Sequence, residues 1–187
     1  MTLKNLLLAT FFLSTTLHAE NSIGIDINSD DVEVLASINL NSLADYANGT
    51  TYILDVNYLH TDGDNMTRIG FSGQNTLQGV EGLTLAFGLK GVLASDFMAF
   101  PLVAKGVYTL PLNDSIPTTS LALSVAYAPS VLSFRDAQSY SDFRLEADME
   151  VISNVHIFTG YRNIQTEYDS EDKTFNDSFY GGLKLSF

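Results

Sequence analysis

Two histidines, His60 and His156, are the residues of this 187-residue chain best suited to acid–base or acyl-transfer chemistry. His60 is followed by Thr61 and Asp62, and His156 follows Ser153. A serine hydrolase needs a hydroxyl, an imidazole and an acid within hydrogen-bond reach. Neither neighbourhood supplies that set at an evident spacing, so both read as histidines at the ends of strands. They fall at opposite strand ends, which makes a shared metal site a poor expectation. Residues 61–65 (TDGDN) have the look of a calcium loop, but the glycine and the closing glutamate are not at the required offsets. With no cysteine there is neither a thiolate metal site nor a disulfide. The expectation is no metal, no cofactor and no enzyme activity.

A second constellation carries charge. Asp142, Arg144, Glu146, Asp148 and Glu150 occupy alternate positions, hence one face of one strand. This acidic run could form a cation path. It reads better as one wall of a buried network with Arg68, Lys90, Lys105, Arg162 and Lys184, each of which also falls on the polar face of an alternating segment.

The elements that must hold these groups are strands throughout. Alternating segments run over 22–28, 32–40, 51–60, 66–75, 83–93, 100–110, 118–128, 140–151, 155–165 and 178–187. Their apolar faces are long and nearly free of charge. Their polar faces mix charges, including Asp26, Glu33 and Asp55, with small residues such as Gly88, Gly160 and Gly182. In a soluble sandwich the apolar face would meet a second sheet. Charges mixed with small residues fit a narrow lumen, with the apolar faces on lipid. The predicted fold is all-β: a transmembrane antiparallel up-and-down β-barrel of ten strands. If the first two segments merged into an irregular entry, eight would remain. Loops at 28–31, 61–65, 94–99, 129–139 and 169–177 would share one end. Turns at 41–49 (with a helical turn at 43–46), 76–82, 111–117 and near 153 would share the other.

The ends of the chain agree with this reading. Residues 1–19 combine Lys4, a short apolar core and a small residue at Ala19, the pattern of a secretory signal. That leaves 20–187 as the barrel domain. Residues 178–187 end as Tyr180-x-Gly182-x-x-Leu185-x-Phe187, the form of the signal by which barrel-insertion machinery accepts its clients. A net charge of −13 argues against nucleic acid as a partner. It suits a cell surface where divalent cations bridge anionic groups. The expected location is the outer membrane of a Gram-negative-type cell, with outer-membrane lipids and lipopolysaccharide as partners.

Residues 125–164 contain Tyr127-Ala128-Pro129, Tyr140 and Gly160-Tyr161-Arg162, and a Gly88-Leu89-Lys90-Gly91 segment precedes them. In these motifs the chain resembles the YfaZ family of predicted outer-membrane proteins, over most of residues 20–187. The resemblance implies an outer-membrane barrel without known catalytic residues. The expected role is structural or surface-facing. A narrow cation-preferring channel and a lipid-modifying barrel enzyme are the alternatives.

Overall fold

A strand with one wholly apolar and one charged face needs different surroundings on its two sides, and a sheet closed on itself supplies them. The computed structural model describes residues 21–42, 49–112, 116–168 and 172–187. The expected signal over 1–19 and the helical turn at 43–46 lie outside the described residues. The strands are β1 (Ser22–Ile27), β2 (Asp31–Asn39), β3 (Thr51–Thr61), β4 (Asp64–Thr76), β5 (Leu83–Ala94), β6 (Phe97–Ala99), β7 (Leu102–Thr109), β8 (Thr119–Ala128), β9 (Ser133–Arg135), β10 (Ala137–Ile152), β11 (Val155–Tyr168) and β12 (Asp172–Ser186).

With β6 and β9 set aside, ten strands form a closed antiparallel ring in chain order. Each pairs with the next, and β1 pairs with β12 from Ser22↔Ser186 to Ile27↔Gly181. Reciprocal bonds between Asn21 and Phe187 extend that seam to the chain end (3.1 and 2.8 Å). The first two segments are therefore true strands, and the count is ten rather than eight. Asn21, Phe187 and the connections after β2, β4, β7 and β10 lie at one end of the barrel, called here the terminus end. The other end is the tip end.

Several expected loops are strand. The five-residue loop at 61–65 shrinks to Asp62-Gly63, both with positive φ (45° and 85°), a two-residue hairpin turn whose twist matches its strands. The loop expected over 169–177 ends at Asp172, so β12 runs 15 residues. The loop expected over 94–99 holds β6, which pairs with the tip of β5 and with β9. Pro101 lacks the N–H needed to carry that pairing smoothly into β7.

Burial is inverted relative to a water-soluble domain. The largest fully buried side chains are Arg68 and Arg162, while Phe179 is 76% exposed and Leu183 55%. Among the described residues no second sheet covers the outer face, which excludes the sandwich.

Candidate functional site

The lumen is filled in layers, and the middle layer is ionic. Arg144 on β10 and Arg162 on β11 are register partners, so two like charges face each other across one strand pair. Such a pair repels unless an anion sits between them. Glu33, wholly buried on β2, supplies it. It accepts from Arg144 Nη1 and Nη2 (2.9 and 3.2 Å), from Arg162 Nη1 (2.5 Å) and from Arg68 Nη2. Arg68 also donates to Asp142 (2.9 Å), and Arg162 reaches Asp26 and Asp31 (3.3 Å each) and Asn176 (2.7 Å). The Tyr180 ring lies 5.0 Å from the Arg162 guanidinium, and its hydroxyl donates to Glu146 (3.1 Å). Gly160 makes that reach feasible, since a Cβ there would stand 2.6 Å from Tyr180 Oη.

The tip-side layer is apolar. Leu59, Met66, Val92, Tyr140 and Ile164 turn into the lumen around Phe97, which β6 carries in from above. The Phe97 ring packs on Tyr140, Phe175 and Tyr168 with centroid distances of 5.8, 6.0 and 6.5 Å. At the strand tips, outside the membrane-crossing rungs, Asp64 accepts from Lys173 (3.1 Å) and holds that ammonium above its usual pKa.

The terminus-side layer is open. A cavity of about 250 Å³ lies below the arginines, lined among others by Ser22, Ser37, Asp55, Lys90, Lys105 and Lys184. Lys90 pairs with Asp55 (3.4 Å) and Lys184 with Asp148 (2.5 Å). Lys105 is exposed in this cavity and has no ion-pair partner among the described residues.

The charged residues singled out from the sequence therefore divide. Arg68, Asp142, Arg144 and Arg162 meet in one cluster, with Glu146 reached through Tyr180. Lys90, Asp148 and Lys184 form separate pairs below it. Glu150 does not join: its carboxylate accepts from the Asn154 backbone (2.9 Å) in the exposed turn after β10. The hub Glu33 was legible as a lumen-facing charge but not as the shared acceptor. Of the residues read as an insertion signal, Tyr180 is buried in the lumen, Gly182 lies beside Phe158, and Leu185 and Phe187 face outward.

His60 Nδ1 donates to the Asn65 side-chain oxygen (2.8 Å) on the tip side. His156 differs from the expectation. Its Nδ1 is 2.7 Å from Asp148 Oδ1, and its Nε2 is 3.4 Å from Ser186 Oγ. Asp148 reaches it across the β10–β11 hairpin, eight residues away, and Ser186, 30 residues away, is brought in by the register of β11 and β12.

Among solved structures, the chain is similar to a KdgM porin in complex with disordered oligogalacturonate (15% identity, 90% of this chain and 99% of that chain covered, TM-score 0.47). It is also similar to a KdgM porin (13%, 90% and 99%, 0.45) and to a NanC porin (7%, 90% and 97%, 0.46). No curated protein matches it. The family model described as YfaZ precursor matches residues 7–187, and the chain belongs to the YfaZ family.

Proposed function

We propose that this protein is an integral outer-membrane barrel that seals its own lumen and serves a structural, surface-facing role, with no transport of solutes. The terminus end faces the periplasm, as for barrels inserted from that side. The tip end, with acidic residues such as Asp62 and Asp64, faces outward. There divalent cations bridge it to lipopolysaccharide. The YfaZ match and the outward apolar face support the membrane location.

One observation carries the sealed-barrel reading: an apolar plug centred on Phe97 lies directly above a layer in which Glu33 engages three arginines. An ion would have to displace both. The channel alternative drew on the acidic wall of β10, but Asp142 and Asp148 are engaged by Arg68 and Lys184, and Glu146 by Tyr180.

The test is conductance. Purified protein, shown to be folded by heat-modifiable migration on a denaturing gel, is inserted into planar bilayers. The expected result is a quiet membrane. A steady, large conductance would overturn the sealed lumen.

A further inference from the structure

The order Asp148–His156–Ser186 is that of an acyl-transfer triad, and it stands at the terminus-end mouth, where water and solutes have access. Asp148 sits on β10, His156 on β11 and Ser186 on β12, all facing the lumen from three adjacent strands. Asp148 Oδ1 lies 2.7 Å from His156 Nδ1. A proton held on Nδ1 by that carboxylate leaves Nε2 as an acceptor for the Ser186 hydroxyl, 3.4 Å away. The second Asp148 oxygen, Oδ2, accepts from Lys184 (2.5 Å), which fixes the carboxylate and leaves Oδ1 to the imidazole. The Ser186–His156 separation is loose, as is common before substrate binds.

We propose that Ser186 is the nucleophile, His156 the general base and Asp148 the positioning acid of a slow hydrolytic site for short-chain carboxylic esters. This goes beyond the sealed-barrel reading and does not depend on it. Ser22 and Lys184, which neighbour the triad, also line the cavity of about 250 Å³, and a small ester reaching the triad from that side suits the narrow lumen better than a long-chain one.

The chemistry balances without a cofactor. Ser186 Oγ attacks the ester carbonyl as its proton passes to His156 Nε2. The tetrahedral intermediate collapses, the carbon–oxygen bond to the alcohol breaks, and the leaving oxygen takes the proton from Nε2. A water from the open mouth then attacks the acyl-serine, giving its proton to Nε2. Collapse releases the acid and restores the Ser186 hydroxyl with that proton.

The weak element is oxyanion stabilisation. The backbone N–H groups of Ser186 and Phe187 are engaged, by Asn154 O (2.9 Å) and Asn21 O (2.8 Å). The task falls to the Ser22 hydroxyl, the register partner of Ser186 across the β1–β12 seam. Loss of one such donor lowers kcat by about 10²–10³-fold in other hydrolases, so turnover here is slow.

The experiment uses the full folded chain in detergent micelles with a fluorophosphonate probe and p-nitrophenyl butyrate. The expected result is covalent labelling, mapped by mass spectrometry to Ser186, and ester hydrolysis. Both vanish in Ser186→Ala. In His156→Gln the hydrolysis rate falls by about 10²-fold or more. Asp148→Asn lowers kcat with KM unchanged, and Asp148→Glu restores part of it. Ser153→Ala, in the nearby turn, behaves as the parent. Mapping the adduct in the parent protein needs no variant to fold. No adduct on the folded parent, an adduct elsewhere, or hydrolysis that persists in Ser186→Ala would overturn the proposal.

Discussion

Arg144 and Arg162 stand directly opposite each other on β10 and β11, and Glu33 reaches both from across the lumen. The carboxylate therefore holds together a strand pair that would otherwise repel. Replacing Glu33 by Gln or Ala leaves three buried guanidiniums around a neutral side chain. Removing one partner of a buried ion pair costs about 3–5 kcal/mol. We expect a loss of that size, measured as a lower urea midpoint for the folded gel band. Glu150→Gln, whose carboxylate accepts from the backbone of the exposed turn, should change the unfolding free energy by less than about 0.5 kcal/mol and leave the midpoint nearly unmoved.

The plug makes a separate prediction. Phe97 is buried at the centre of the tip-side cluster, and truncating a buried Phe to Ala costs about 3–5 kcal/mol through lost contacts and the void left behind. Phe97→Ala should still fold, because the closed strand ring does not pass through β6. It should show brief openings in planar bilayers that the parent lacks. A variant as silent as the parent would assign the seal to the arginine layer alone.

Much of this arrangement was legible in the sequence because side-chain parity is fixed by the strand. Alternation placed Arg68, Arg144, Arg162 and Glu33 on the inner face without knowledge of any partner. The same parity put Leu59, Met66, Val92 and Ile164 inward, and each is an inward residue near the tip of its strand. That run of apolar residues on the polar face was the available signal for the plug. β6 was not legible, since Phe97–Ala99 is too short to show a period and stops just before Pro101. Nor were the cross-lumen pairings. Which acid meets which arginine depends on the stagger of the closed ring, a property of all ten strands together. The triad was hidden for a related reason. The two-residue turn Ser153-Asn154 sets His156 opposite Glu150, and only the further register of β12 brings in Ser186.

Closure of the ring makes its own demand at the β1–β12 seam. A Cβ on Gly182 would collide with the Ile25 carbonyl and the Phe158 ring, and the backbone carbonyl cannot move without opening the seam. Gly182→Val should therefore abolish the fast-migrating folded band, even though valine is favoured in strands. Gly106→Val is the control, because a Cβ at Gly106 meets only the Leu85 side chain, at 3.6 Å. It should retain the folded band.

The outer face tests whether hydrocarbon surrounds the barrel. Leu145, near the middle of β10, is 50% exposed and points away from the lumen, while Val131, in the tip-side loop before β9, is 76% exposed. In water, replacing either exposed residue by Arg would change stability by less than about 0.5 kcal/mol. In a bilayer the two sites separate. Arg at the midplane of a barrel's lipid face costs about 2–4 kcal/mol, and the cost falls to about 0–1 near the interface. We expect Leu145→Arg to lower the unfolding free energy in lipid vesicles by about 2–4 kcal/mol and Val131→Arg to leave it nearly unchanged. The difference should shrink in detergent, where the micelle deforms around the guanidinium. Equal, small effects at both positions in vesicles would mean that water, not lipid, covers the apolar rows of this barrel.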